Sequence, residues 1–195
     1  MIKLKPPRPK KCAHCKTQFQ PARNFQSWCS PDCAVEIAKA KQAKQKAQEA
    51  TKERVQHAKA KQAVKTKGQW AKEAQAAFNA FIRERDRQAG HSCISSGRPL
   101  DWSANAVDAG HYRSVGSAPH LRFDERNCHA QSKQDNRYLS GNAVDYRIGL
   151  IKRIGLEAVE ALEADQTPRR YTIEDLKAIK AEYRAKLREL KKANE

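Results

Sequence analysis

The chain has 195 residues, of which 39% are apolar and 31% are charged, a balance too polar for one compact hydrophobic core. Its formal net charge of +17 predicts a polyanionic partner, and nucleic acid is the first candidate. Because no apolar run is long enough to cross a membrane and no signal peptide is recognisable, we expect a cytosolic protein that does not bind membranes.

The first predicted element is a zinc finger in residues 1–35. Cys12 and Cys15 form a Cys-x-x-Cys pair, and Cys29 and Cys33 form a second pair with three intervening residues. In a cytosolic protein such cysteines are more typical of metal ligands than of disulfides, and two short pairs suit one tetrahedral Zn²⁺. Ser30-Pro31 predicts a helix start that would carry Cys33. The finger either staples a domain too small for a core or contacts DNA directly.

Residues 36–67 are predicted to form a basic helical linker. From Ala34 to about Lys67 the sequence is rich in Ala, Lys, Gln and Glu, which favours a long helix without a buried face. Two roles are open for this helix, a solvated spacer or a basic arm that lies along phosphates. Gly68 is predicted to mark the break that follows.

A third segment, residues 68–142, begins with a helix and continues with a hairpin. The helix is predicted from an apolar stripe at helical spacing and should end near Gly90. The stripe consists of Trp70, Ala74, Ala77, Phe78 and Phe81. After it, turn signals at SGRP and VGSAP predict a hairpin around Trp102, Val107 and Tyr112.

The last segment, residues 143–195, is predicted to be a pair of amphipathic helices separated by Pro168. Thr172 and Asp175 have the spacing of a capping box at the start of the second helix. The predicted fold class is therefore α+β and mostly α, with a treble-clef-like finger, long basic helices, a small ββα unit and a C-terminal helical pair.

Residues 108–136 contain the parts that single-metal hydrolysis of a phosphodiester needs. His111 is the candidate base, because imidazole titrates near neutral pH. Asp108 and Asn127 could give oxygen ligands to Mg²⁺ or Mn²⁺, and Asn136 is a further candidate catalytic residue. The alternative is that Asn127 and Asn136 are only turn or cap residues.

Basic side chains around this stretch are candidate contacts for the DNA backbone. Arg113 and Arg122 could clamp the phosphate, and Lys133 and Arg137 complete the predicted DNA-binding set. Asp108 lies three residues before His111, and Gly110 directly precedes the histidine.

A histidine followed by asparagines at these intervals resembles the HNH endonuclease motif, whose fold is a hairpin and a helix around a metal. The cysteine pairs together with AFNAFIRERDR, DAGHYRS, LRFDERN, YLSGN and TIEDLKAIKAEYRAKL resemble the NinG, or Rap, recombination proteins of lambdoid phages. That resemblance implies a structure-specific DNA endonuclease that acts on D-loops and Holliday junctions in the host cytoplasm. Cutting two strands of a junction implies a symmetric homodimer, with residues 34–67 or 143–195 as its interface and phage or host recombination proteins as further partners.

The resemblance also implies a second zinc site built from two Cys-x-x-Cys knuckles. This chain keeps Cys93 but has Ser96, Ser132 and Asp135 where thiolates are expected. Because a serine hydroxyl is a poor zinc ligand, we expect no second zinc.

Three further side chains of this region are candidates for minor or structural roles. His120 is predicted to be exposed in a loop. His129 is expected either to line the site or to follow Asn127 in a helix, and Cys128 to be a buried thiol rather than a ligand.

Two rival functions stay open at this point. The first is a non-catalytic DNA-binding module in which the finger and basic helix bind and the HNH residues are vestigial. The second is a zinc-dependent RNA-binding protein. Metal-dependent nicking separates the enzyme from the first, and competition between branched DNA and structured RNA separates it from the second.

Overall fold

The computed structural model describes residues 8–103 and 105–193, and the chain divides into two compact units, residues 1–64 and 65–195. It is mostly helical, with two small antiparallel sheets. The predicted α+β class is therefore confirmed.

The first unit contains a two-stranded sheet and one long helix. Strands β1 (Lys10–Lys11) and β2 (Gln18–Phe19) pair antiparallel, and helix α1 runs from Pro31 to Ala63. Ser30 caps α1 by accepting a hydrogen bond from the Cys33 amide, so the predicted helix start is confirmed. Among the residues of α1 only Cys33 is buried, which agrees with a solvated helix.

In the second unit, helix α2 (Lys67–Gln88) begins at a capping box formed by Thr66 and Gln69. Gly68 therefore lies inside the first turn of α2, and the predicted break at Gly68 is wrong by a few residues, because the Thr66 cap starts the helix earlier. The predicted apolar stripe is confirmed, since its five residues are buried on one side of α2.

The second sheet is the hairpin of β3 (Val107–His111) and β4 (Cys128–Ser132). The strands pair in regular register, from Val107 opposite Ser132 to His111 opposite Cys128. The predicted hairpin is correct around Val107, but Trp102 and Tyr112 lie outside the strands. After β4 the chain makes one π-helical turn, Gln134–Tyr138.

The C-terminal segment contains three helices instead of the predicted two. Helix α3 (Ala143–Ile154) and helix α4 (Leu156–Ala164) are separated at Gly155, whose φ of 86° ends the first helix. Helix α5 (Ile173–Lys192) starts at the predicted capping box of Thr172 and Asp175.

Two apolar clusters hold the second unit together. In the first, α2 packs against α5 and the hairpin, and its large members include Phe78, Phe123 and Tyr183. In the second, Tyr146 and Leu150 of α3 pack against α4 and the loops before each strand. The helices after residue 142 thus belong to the same compact unit as the hairpin, and the predicted boundary there does not separate two units.

Candidate functional site

Four cysteine sulfur atoms of the first unit lie within 4.8 Å of one another. Cys12 and Cys15 belong to the turn after β1, Cys29 precedes the α1 cap, and Cys33 lies in the first turn of α1. The Sγ atoms of Cys15 and Cys29 are 3.5 Å apart, and those of Cys29 and Cys33 are 3.6 Å apart. The predicted convergence of the four side chains is confirmed.

The ionisation of these thiols indicates that the cluster suits a cation. Burial opposes ionisation of Cys12, but hydrogen bonds from the backbone of Cys15, His14 and Cys29 lower the pKa of its thiol to about 6. The neighbouring thiols of Cys15 and Cys33 raise the pKa of Cys29. Four sulfurs so close together can all ionise only around a positive ion, and a Cys₄ set is a donor set that Zn²⁺ takes.

In the second unit, His111 ends β3 beside the loop between the strands. Its Nε2 lies 3.0 Å from the backbone oxygen of Arg122. Because a carbonyl can only accept, this contact places the proton on Nε2 and leaves a lone pair on Nδ1, which lies 3.6 Å from the buried Cys128 Sγ. Burial lowers the pKa of His111, which keeps the ring neutral near physiological pH.

Asn127 fixes the loop that orients His111. Its side chain is fully buried, and its Oδ1 accepts a hydrogen bond from the Arg113 amide at 2.8 Å. Its Nδ2 donates to the backbone oxygens of Arg113 and Leu121 at 3.0 and 3.2 Å. Both groups of the amide therefore bond backbone atoms of the loop, and the structure does not leave Asn127 Oδ1 free for the predicted role of metal ligand.

Asp108 forms a separate polar group with Asn136 and Arg137. Its Oδ2 accepts hydrogen bonds from Asn136 Nδ2 at 3.0 Å and from Arg137 Nε at 2.6 Å. Burial opposes ionisation of Asp108, but the bonds from Arg137 and Asn136 outweigh it and lower the pKa of the carboxyl.

Asp108 and His111 point to opposite faces of the hairpin. They are three positions apart on a regular strand, where successive side chains alternate between faces. The ring of His111 lies 5.9 Å from that of Phe78 in α2, whereas Asp108 contacts Arg137 in the π-helical turn. The structure therefore does not bring the predicted base and the predicted acidic metal ligand together.

The predicted DNA-binding side chains are mostly engaged within the protein. Arg113 Nη1 donates to three backbone oxygens at the end of α4, each at 3.1 Å, and so caps that helix instead of clamping a phosphate. Arg122 Nε donates to Gln75 Oε1 at 2.7 Å. Arg137 is paired with Asp108, and the charge of Lys133 helps to lower the pKa of that carboxyl.

His120 is buried, so the prediction that it is exposed is wrong. Its Nε2 lies 2.7 Å from the backbone oxygen of Asp165, and its own backbone oxygen accepts a hydrogen bond from Tyr171. The ring therefore ties the interstrand loop to the segment after α4. This contact joins residues 45 positions apart, which local sequence cannot reveal.

His129 and Cys128 are also buried, both in β4. The predicted helical placement of His129 is wrong, because β4 begins at Cys128. Arg85 Nη2 lies 3.0 Å from His129 Nδ1, so Nδ1 accepts and Nε2 carries the proton toward the Arg126 oxygen. Burial raises the pKa of Cys128 well above its ordinary value, as expected for an inert thiol.

Asp86 is a buried carboxylate that the sequence analysis missed. It accepts hydrogen bonds from Arg85 at 2.8 Å and from the Ala130 amide at 2.6 Å, and Arg153 lies 3.6 Å away. Burial opposes its ionisation, but these bonds hold the pKa of the carboxyl below its ordinary value. The sequence did contain a signal for the burial of Asp86, because this residue follows Phe78 and Ile82 at four-residue intervals on the buried face of α2.

Replacing Asp86 by alanine should lower the free energy of unfolding of the second unit by about 3 to 5 kcal/mol, because Arg85 and Arg153 lose their buried counter-charge. Urea denaturation measures this change. Glu160→Ala, at an exposed position of α4, is the control and should change the value by less than about 0.5 kcal/mol. Equal effects of the two substitutions would contradict a structural role for Asp86.

Comparison with known proteins assigns the chain to a family. The family model described as Bacteriophage Lambda NinG protein matches residues 4–195. The chain belongs to the NinG family. It is 44% identical to Protein ninG of Salmonella phage P22 and to that of Escherichia phage lambda, in each case over 91% of this chain and 90% of the relative. It is 43% identical to Protein ninG of Escherichia phage 933W over 95% of both chains.

No solved structure matches this NinG-family chain. None of the helices in the described part of the chain is both long and apolar enough to cross a membrane.

In this member of the NinG family, the four side chains at the place of the expected second metal site do lie together. Three of them donate hydrogen bonds to the fourth, the carboxylate of Asp135. Asp135 Oδ2 accepts hydrogen bonds from Ser132 Oγ at 2.6 Å, Ser96 Oγ at 2.9 Å and Cys93 Sγ at 3.2 Å. We call these four residues the Asp135 cluster. Within residues 8–103 and 105–193, the four cysteines of the finger are the only group of three or more His, Cys, Asp or Glu side chains placed to hold a metal.

Proposed function

We propose that the protein is a metal-dependent DNA endonuclease of the HNH type that cleaves branched recombination intermediates such as D-loops and Holliday junctions. The observation that carries the proposal is the state of His111. A backbone carbonyl orients the ring, burial keeps it neutral, and the Nδ1 lone pair faces the buried Cys128 thiol at 3.6 Å, which must move aside before Nδ1 can accept a proton from water. The hairpin with a helical turn after β4, the charge of +17 and the family resemblance support the same function.

In this proposal each residue has a separate task. His111 takes a proton from the attacking water, and Asn127 holds the loop whose Arg122 carbonyl fixes the ring. Asp108 and Asn136 would offer oxygen ligands to Mg²⁺ or Mn²⁺, which would neutralise charge on the phosphate. Because they lie with Arg137 on the other face of the hairpin, cleavage would require that group to rearrange on DNA.

The separation of Asp108 from His111 favours one alternative, a non-catalytic zinc-dependent DNA- or RNA-binding protein. In that case the salt bridge of Asp108 with Arg137 is permanent, and His111 only stabilises the loop. The finger and the basic α1 would then provide the function.

The proposal is tested by incubating the full chain with a labelled four-way junction and with a matched linear duplex. Mg²⁺, Mn²⁺ or no divalent ion is added in parallel. We expect cuts in the junction only where Mg²⁺ or Mn²⁺ is present, and little cutting of the duplex. A junction that is bound but never cut, or a structured RNA that displaces it, would support the binding alternative.

Binding to DNA should weaken steeply with salt. A chain of net charge +17 releases many counterions from the phosphates it neutralises. We expect the affinity to fall by orders of magnitude, roughly 10³-fold or more, between 50 and 200 mM salt. Titration by fluorescence anisotropy measures this slope, and an affinity independent of salt would contradict a phosphate-binding role for the basic residues.

The same proposal also implies an oligomeric state and a cellular location. Two cuts across a junction suit a symmetric homodimer. A protein of this family would act in the cytoplasm of the host cell, beside phage or host recombination proteins.

A further inference from the structure

Three large apolar side chains are exposed at the end of the π-helical turn and in the residues that follow it. Tyr138 and Val144 are each 76% exposed, and Leu139 is 51% exposed. We call these three residues the apolar tip. Of the five exposed large apolar residues described in the second unit, four lie between positions 138 and 148, the fourth being Ile148 of α3. Exposed apolar side chains so close together in the sequence of a highly charged protein make this segment a candidate interaction site.

The backbone inside the apolar tip has an unusual conformation. Ser140, Gly141 and Asn142 are consecutive residues with positive φ, at 51°, 87° and 47°. Non-glycine residues in this region are strained and persist only where surrounding contacts hold them. Such strain is concentrated at binding and catalytic sites.

The contacts that hold this segment come from β4 and from the Asp135 cluster. Gln131 Nε2 donates to the Gly141 backbone oxygen at 2.7 Å, and the Gly141 amide donates to the Asp135 backbone oxygen at 3.0 Å. Asn142 Nδ2 donates to Asp135 Oδ1 at 3.2 Å, while Asp135 Oδ2 is held by Ser96, Ser132 and Cys93. The exposed side chains are therefore presented on a backbone that is already ordered.

An exposed aromatic ring beside a basic residue fits an unpaired nucleobase. Arg137 directly precedes Tyr138, and its side chain is 58% exposed. An aromatic ring stacks on any base, and apolar residues next to it insert where base pairs are already open. A second copy of the chain fits less well at the apolar tip, because its three residues are far fewer than the roughly 20 to 30 residues a side that a stable interface needs.

We propose that the apolar tip recognises the branch point of DNA by stacking Tyr138 on an unpaired base, with Leu139 and Val144 beside it. This inference rests on the proposed function, because it takes branched DNA as the substrate. It assigns junction preference to the segment after β4 and leaves general phosphate binding to the basic residues elsewhere.

The test compares the full-length wild type with Tyr138→Ala for binding to a four-way junction and to a matched duplex, without divalent ions. We expect Tyr138→Ala to weaken junction binding about 5- to 100-fold, as loss of one stacked base does, and to change duplex binding less than about 2-fold. Tyr138→Phe should restore junction binding. A 2-aminopurine at the branch point should change its fluorescence on binding to wild type and respond much less to Tyr138→Ala.

Leu156→Ala is the matched control, because Leu156 is 49% exposed in the same unit but outside the apolar tip, and it should leave junction preference unchanged. Equal loss of junction and duplex binding in Tyr138→Ala, or no loss, overturns the inference. The inference is also overturned if Tyr138→Ala changes the protein from a dimer to a monomer while junction binding per protomer stays the same, because the apolar tip would then be an interface between copies. Because no cleavage is measured, junction preference that depends on Tyr138 supports the inference even if the chain never cuts DNA.

Discussion

Replacing Cys12 by serine should abolish zinc binding and unfold the finger while the second unit stays folded. Four thiolates converge on one point, and the two short strands around them bury too little apolar surface to fold alone. Structural zinc in such fingers contributes on the order of 10 to 16 kcal/mol, which is the largest effect expected for any change in this chain. Metal analysis should fall from one zinc per chain to none, and hydrogen exchange should show loss of protection in the finger.

Cys93→Ser is the control for this prediction. Cys93 is buried in the Asp135 cluster, where no second zinc is expected, so the chain should keep one zinc. Two zinc ions per wild-type chain would show that the Asp135 cluster binds metal after all. Unfolding of residues 65–195 in Cys12→Ser would show that the two units depend on each other.

Replacing His111 by alanine should slow junction cleavage by about 10² to 10⁴ and leave junction binding nearly intact. The imidazole accepts a proton in the transition state but contributes little to contacts with the bound substrate, so its loss affects rate more than affinity. Single-turnover cleavage at saturating protein, together with anisotropy titration, separates the two quantities.

His57→Ala is a suitable control for His111→Ala, because His57 is exposed on α1. His120 cannot serve as the control, since its buried ring bonds the Asp165 oxygen and its loss would disturb the interstrand loop. If His111→Ala cleaved as fast as wild type, the base would be another group. If both variants bound the junction poorly, the loss would reflect folding or affinity instead of chemistry.

The features that sequence predicted well depend on neighbouring residues. Cysteine spacing determines the finger, and the Ser30 cap and the Thr172–Asp175 capping box are formed by side chains within one helical turn. The buried stripe of α2 follows from helical periodicity alone. In the caps and the stripe the interacting groups are close in sequence, and in the finger each short cysteine pair is, so their geometry follows from local structure.

The features that sequence missed depend on contacts between distant segments. His120 is buried because Asp165 lies beside it, and the pKa of the buried Asp86 carboxyl stays low because the distant Ala130 amide donates to it as well as its neighbour Arg85. Asp108 and His111 lie on opposite faces because side chains alternate along a strand. Sequence could predict this only if both residues were known to belong to one regular strand. The register of β3 is fixed by β4, whose partner residues lie across a long loop.

The central claim is that neutral His111 is the base in metal-dependent cleavage, and the pH dependence of the single-turnover rate tests it most directly. Burial lowers the pKa of His111, so the unprotonated ring is present at a lower pH than for an ordinary histidine, whose pKa is about 6.5. With Mg²⁺ and a four-way junction, the wild-type rate should rise with pH with its midpoint below that value, and this dependence should be lost in His111→Ala. A rate that continues to rise above pH 8, or the same profile in His111→Ala, would contradict the account.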